Sequence, residues 1–99
     1  MDFLKEYNFN EEEINEILNF NSKGIINNII LIKDNVSEII NYFLALDIQE
    51  ETIKKMFKYQ IGIFFKTKKE LIDAFEEYEM DSIIKSLNYD VNTFDLIEF

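Results

Sequence analysis

Carboxylates are the side chains of this sequence whose number and spacing could support a specific chemistry. The chain has 20 Asp and Glu residues against 10 basic ones, all of them lysines, and it has neither histidine nor cysteine. Carboxylates one helical turn apart, such as Asp73 with Glu76 or Glu77, could in principle carry out acid–base catalysis. No nucleophile or base accompanies them, and no neighbouring sequence signals a raised pKa. We therefore predict that the protein is not an enzyme.

Metal and cofactor sites are also not predicted. The segment that begins Asp90-Val91-Asn92 resembles the start of a calcium-binding loop, but Asp95 stands where such a loop needs glycine. The glutamate that closes a calcium loop is missing as well. No glycine-rich loop is present to hold a phosphate group. We predict no metal and no cofactor.

Two clusters of acidic residues are candidates for binding a partner. They comprise Glu11, Glu12, Glu13 and Glu16 at one predicted helix start, and Asp73, Glu76, Glu77, Glu79 and Asp81 around another. Charged runs of this kind often form solvated helix faces. The alternative is a recognition surface for lysine- and arginine-rich sites, in effect an imitation of nucleic-acid phosphates. Closely spaced carboxylates repel one another and destabilise the compact state, which favours a surface used by a basic partner.

The lysines are concentrated in residues 54–69, which contain no acid. This lysine belt consists of Lys54, Lys55, Lys58, Lys66, Lys68 and Lys69. It could bind phosphates, with Tyr59 and Phe64 available to stack on a base. It could equally complement acidic neighbours within the fold. The second interpretation is favoured, because a belt without arginine lacks the bidentate fork that sequence readout usually needs.

Length and composition indicate one domain, residues 1–99, with 47% hydrophobic residues and a net charge of −10. A chain of this size can fold without disulfides or metals. The start of the sequence does not resemble a signal peptide, and the apolar run 29–32 is too short for a membrane span, so we expect a soluble cytoplasmic protein. Abundant Ile, Asn and Lys without Pro or Arg suggest a low-G/C bacterium or one of its phages or plasmids. Because of this compositional bias, a single asparagine is weak evidence for a functional site.

Apolar spacing and helix caps predict an all-α fold of about seven short helices, stacked as two or three helix-pair repeats. Capping boxes are predicted at Asn10 with Glu13, at Asp47 with Glu50, and at Thr67 with Glu70. Residues 25–32 and 61–65 are ambiguous between helix and strand. If these two segments paired as strands, the fold would be α+β.

The sequence also contains an internal repeat. Residues 4–14 align with residues 43–53 at a spacing of 39, and a third, shorter copy begins near residue 75 at a spacing of 32. The unit resembles the repeat of the mitochondrial transcription termination factor family. Residues 44–48 stand at the family's Leu-Gly-Leu-like corner and residues 61–65 at its Pro-Leu-Leu-like plug, although the corner glycine and plug proline are replaced. The resemblance implies stacked helix pairs and nucleic-acid binding along a basic concave face.

Charge decides between the two functions that these observations suggest. The first is a non-catalytic acidic protein-binding module, an inhibitor or regulator that docks on a basic, nucleic-acid-handling protein, of the kind used by phages and mobile elements. The second is a helical-repeat protein that binds nucleic acid through the lysine belt. The net charge of −10 repels nucleic acid and anionic membranes at long range, so we expect the first. Exposed aromatic residues, for which Tyr42, Tyr59, Tyr78 and Phe99 are candidates, leave a homodimer open.

Overall fold

The computed structural model describes residues 1–99 and is all-α, as predicted. Six α-helices run Glu11–Phe20 (α1), Lys23–Leu31 (α2), Lys33–Ala45 (α3), Glu50–Tyr59 (α4), Lys68–Phe75 (α5) and Met80–Tyr89 (α6). Three short 3₁₀ helices run Asp2–Tyr7, Ile61–Phe65 and Val91–Leu96. There is no β-strand. None of the helices is long and apolar enough to cross a membrane.

Helix α4 is the centre of the molecule. It contacts α1, α3, α6 and the second and third 3₁₀ helices, while α2 and α5 pack on α3. Thr52, Ile53, Met56 and Phe57 of α4 are all buried, and they follow the spacing of one helix face. The folded chain measures 35 × 22 × 21 Å.

Aromatic side chains fill the middle of the hydrophobic core. Phe57 of α4 stacks on Phe64 of the second 3₁₀ helix with ring centroids 4.1 Å apart. The ring of Phe43 in α3 packs near those of Phe64, Phe75 and Phe94, with ring centroids 6.1–6.4 Å apart. Because these rings come from α3, α4, α5 and two 3₁₀ helices, their packing connects most elements of the fold.

The two ambiguous segments are both helical, which rules out the α+β alternative. Residues 25–32 lie mostly within α2, where Ile26 and Ile29 are buried, and residues 61–65 form the second 3₁₀ helix. In that 3₁₀ helix Ile63 and Phe64 are buried. The aromatic residues of this run suggest core positions, but Phe65 is 43% exposed.

The repeat at a spacing of 39 is visible in the backbone. Asn8 and Asp47 occupy matching positions and are the two non-glycine residues with positive φ, at 67° and 68°. The next residue is buried in both copies, and its N–H donates to a carbonyl five residues back, from Phe9 to Leu4 and from Ile48 to Phe43. The helices that follow begin at residues 11 and 50. The turns at residues 8–9 and 47–48, which we call the two corners, therefore share one conformation.

The third copy is offset differently from the sequence alignment. Helix α6 begins 30 residues after α4, at Met80 against Glu50, and each helix is followed by a 3₁₀ helix that buries Phe64 or Phe94. The predicted spacing of 32 was based on the apolar residues at the end of the preceding helix. The α3–α4 and α5–α6 turns, residues 46–49 and 76–79, are both four residues long, so the ends of α3 and α5 are also 30 residues apart and a register of 32 does not hold.

Two of the three predicted capping boxes are confirmed, at Asn10 with Glu13 and at Thr67 with Glu70. The box predicted at Asp47 is wrong, because the N-cap of α4 is Gln49 and no side chain of its own caps it. Asn88 of α6 supplies the missing acceptor, and its Oδ1 lies 2.9 Å from the Gln49 backbone nitrogen. The positive φ of Asp47 turns that residue out of capping position.

Candidate partner-binding surface

The first half of the lysine belt faces acidic residues of helix α1. Lys54 Nζ lies 3.0 Å from Glu13 Oε2 and 3.5 Å from Glu51 Oε1, and Lys58 pairs with Glu16. These side chains line a cleft of about 210 Å³ between α1 and α4. Here the belt complements acids within the fold.

The pKa values of these groups reflect the pairing. The pKa of Glu13 is lowered, chiefly because its carboxylate accepts a hydrogen bond from the Asn10 backbone and also because Lys54 lies beside it. Burial works to lower the pKa of Lys54, but the hydrogen bond and charge of Glu13 outweigh it and raise that pKa. Hydrogen bonding to Glu16 raises the pKa of Lys58. The charged forms are thus favoured on both sides of the cleft.

The second half of the lysine belt is spread over other partners. Lys69 Nζ lies 2.9 Å from Asp73 Oδ2, and this hydrogen bond raises the pKa of Lys69. Lys66 and Lys68 form no ion pair and instead lie over aromatic rings, those of Phe99 at 5.0 Å and Tyr42 at 5.8 Å. Lys55 is exposed and without an ion pair. The six lysines therefore do not form one continuous cationic face.

The first predicted acidic cluster is largely neutralised by lysines. Glu13 and Glu16 are paired with Lys54 and Lys58, and Glu11 lies 3.2 Å from Lys5. Glu12 is exposed and is the member of the cluster without a lysine partner. Most of this cluster stabilises the start of α1 and its contact with α4.

The second predicted acidic cluster is left mostly without cations. Asp73 pairs with Lys69, whereas Glu76, Glu77 and Asp81 are exposed and form no ion pair. Glu79 is the N-cap of α6, and its carboxylate accepts hydrogen bonds from the backbone N–H groups of residues 81 and 82. Its pKa is lowered, chiefly by hydrogen bonding to the Ser82 side chain and also by these backbone N–H groups. The free charge of this cluster thus lies on Glu76, Glu77 and Asp81.

A groove of about 620 Å³ adjoins this second cluster. Its lining consists of the carboxylates of Glu70, Asp73, Glu77 and Glu98 and the apolar groups of Ala74, Tyr78 and Phe99. Tyr78 and Phe99 are 38% and 49% exposed. The hydroxyl of Tyr78 lies 3.4 Å from the Leu96 carbonyl oxygen, which ties the α5–α6 turn to the end of the third 3₁₀ helix. We refer to these seven lining residues as the acidic groove.

Sequence reasoning did not identify two carboxylates of the acidic groove. The sequence indicates Glu70 only as a capping residue of α5, and it contains no signal that marks Glu98 as a binding residue. Glu98 is far from α5 in sequence and reaches the groove because the third 3₁₀ helix folds back on α6 and α4. No local pattern could have revealed that approach.

The carboxylates of the molecule do not converge into a site for a metal ion, since no group of three acidic side chains is placed to hold one. The carboxylates of the acidic groove are spread along its walls, which suits an extended organic cation better than a small inorganic one.

Comparisons with models of known protein families, with curated proteins and with solved structures found no match.

Proposed function

We propose that this protein is a non-catalytic, acidic binding module that docks on a basic, nucleic-acid-handling protein and inhibits or regulates it. Such a module would work in the bacterial cytoplasm, or in the host cytoplasm if the protein belongs to a phage. Its acidic surface would occupy the place of nucleic-acid phosphates on the partner.

One observation carries this proposal, the unneutralised charge of residues 70–99. That segment holds nine acids and one lysine, and Asp73 is the one acid among them that pairs with a lysine. Like charges held together in a folded protein repel one another. A basic partner would remove the repulsion, and the same field would accelerate its association.

Of the acidic residues predicted to bind a partner, those that are exposed and unpaired are the best candidates. Glu76, Glu77 and Asp81 are exposed and unpaired, and Glu77 lines the acidic groove. Glu13 and Glu16 are engaged with lysines of α4. Glu76 and Glu77 are therefore the best residues to change, because neither side chain caps a helix or forms an ion pair.

The second candidate function, nucleic-acid binding by the lysine belt, has less support. Lys54, Lys58 and Lys69 are already paired with carboxylates. A nucleic acid would have to displace these acids and overcome a net charge of −10. The family resemblance that suggested this function stays a prediction.

Capture from a bacterial lysate at low salt tests the proposal against this second candidate. The lysate is divided, one half is treated with nuclease, and retained proteins and nucleic acids are identified from both halves. We expect the same basic nucleic-acid-handling protein from both halves and its loss with the Glu76→Lys/Glu77→Lys variant. The matched control, Asp34→Lys/Glu38→Lys, makes the same charge change on α3 and should retain it.

Two results would contradict the acidic-module function. One is retention of nucleic acid by the purified protein, abolished by replacing Lys55 and Lys68. The other is a protein captured only from the untreated half, because nucleic acid would then bridge the two proteins.

A further inference from the structure

We infer that the acidic groove binds a short arginine-containing segment of the partner, with one guanidinium placed on the face of Phe99 and between the groove carboxylates. This inference rests on the proposed function and specifies the chemistry of the same surface. The groove combines apolar and carboxylate lining residues, and the ring of Phe99 in that lining already faces a cation.

The shape and lining of the groove suit a long cationic side chain. Ala74, Tyr78 and Phe99 offer an apolar surface, and carboxylates flank it within a volume of about 620 Å³. Arginine and lysine cover apolar surface with their methylene stems while the charged head stays in a polar environment. Arginine fits better than lysine, because its planar head stacks on an aromatic face and forms paired hydrogen bonds to a carboxylate.

Phe99 already has an ammonium group over its ring. Lys66 Nζ lies 5.0 Å from the ring centroid, and Lys66 forms no ion pair elsewhere. Contacts of this length attract a cation through the ring quadrupole. In the free protein Lys66 therefore already interacts with the Phe99 ring, and it would compete with the guanidinium of the partner for that ring.

A second copy of this chain does not fit as the occupant. Each copy carries a net charge of −10 and no arginine, so a self-association through this groove would bring acidic surfaces together. Charge complementarity instead selects a basic segment from a different protein.

Titration with a fluorescein-labelled hexa-arginine peptide tests the groove directly. The matched probe is a hexa-citrulline peptide, which keeps the shape of the arginine side chain and removes its charge. With ¹⁵N-labelled protein, we expect hexa-arginine to shift the amide signals of residues 70–78 and 96–99 most strongly, and hexa-citrulline to shift none of them.

Two substitutions with opposite effects make the test specific. Phe99→Ala should weaken hexa-arginine binding by about threefold or more, because a cation–π contact is lost. Lys66→Met should strengthen it by a similar factor, since it frees the ring. Lys85→Met makes the same charge change on α6, away from the groove lining, and should have a smaller effect than Lys66→Met.

The inference is overturned if hexa-arginine does not bind, if its shifts centre on the α1–α4 cleft, or if Phe99→Ala and Lys66→Met leave its affinity unchanged. Circular dichroism of Phe99→Ala checks that this half-exposed position can be truncated without unfolding the protein. These results are separable from those of the capture experiment. If a partner is captured but the groove does not bind hexa-arginine, the groove inference fails and the proposed function stands. If the groove binds hexa-arginine but no nucleic-acid-handling partner is captured, the proposed function fails.

Discussion

At the scale of single residues, three asparagine amides join elements that are distant in sequence. Asn21 Nδ2 donates to the Phe57 carbonyl at 2.9 Å, and Asn35 Nδ2 donates to the Lys66 carbonyl at 2.8 Å. Asn88 Oδ1 accepts from the Gln49 N–H and from the Thr52 hydroxyl. Asparagine is abundant in the sequence, so its presence at these three positions does not single them out. Their roles depend on tertiary contacts that composition does not encode.

Asn88 is expected to be the most sensitive of the three. The Asn88→Ala variant should lose about 2–3 kcal/mol of unfolding free energy, because the hydroxyl of Thr52, which is 3% exposed, loses its acceptor. Urea denaturation measures the loss. The control is Asn41→Ala on the exposed face of α3, which should change stability by less than about 0.5 kcal/mol. Equal losses in both variants would show that Asn88 does not anchor the N-terminus of α4.

The ion pair between Glu13 and Lys54 predicts a dependence of stability on pH. Folding lowers the pKa of Glu13 from 4.5, chiefly through the hydrogen bond from the Asn10 backbone and also through Lys54. The charged carboxylate therefore stabilises the protein above that value, and this contribution disappears as the pH falls through the lower, folded pKa. The raised pKa of Lys54 acts at the other end, so the contribution also disappears as the pH rises above 10.5 through the folded pKa.

Glu13→Gln isolates this effect, because glutamine keeps a capping oxygen and removes the charge. Near neutral pH it should cost about 0.5–1 kcal/mol, as expected for a partly exposed pair. The difference from wild type should shrink as the pH falls below about 4. Urea midpoints at several pH values measure it, with the unpaired Glu12→Gln as control. A difference that stays constant down to about pH 3 would mean that the charge of Glu13 is not what stabilises α1.

At the scale of elements, helix periodicity and caps allowed most of the fold to be predicted. The helices, the boxes at Asn10 and Thr67, and the repeat at a spacing of 39 follow from local residue patterns. The cap of α4 could not be predicted in this way, because its acceptor comes from Asn88, 39 residues from Gln49.

The shared corner conformation predicts an unusual order of substitutions at Asp47. Its φ of 68° is free for glycine and costs about 1–2 kcal/mol for a residue with an ordinary side chain. We expect Asp47→Gly to be more stable than Asp47→Ala by about 1 kcal/mol. At Glu38, inside α3, the order should reverse by a similar amount because glycine is a poor helix former. Urea denaturation of the four variants checks this, and one common order at both sites would refute the shared corner.

At the scale of the whole molecule, ion pairing is uneven along the chain: five of the 11 acids in residues 1–53 pair with a lysine, against one of the nine in residues 70–99. Segment charges could be counted from the sequence, with residues 1–53 and 70–99 each carrying −8. The sequence does not predict which acids pair with the lysines, because the pairing depends on how α1 packs against α4. The structure places two belt lysines, Lys54 and Lys58, beside α1. It leaves the acids of residues 70–99, apart from Asp73, without an ion pair.

Competition for the captured partner tests this account most directly. The purified partner is bound to a fluorescent DNA or RNA oligonucleotide, and this protein is added while anisotropy is recorded. We predict that the wild-type protein releases the oligonucleotide, with weaker release as salt rises, and that Glu76→Lys/Glu77→Lys fails to release it while Asp34→Lys/Glu38→Lys succeeds. A stable complex of partner, oligonucleotide and wild-type protein together would contradict the claim that the acidic surface takes the place of nucleic acid.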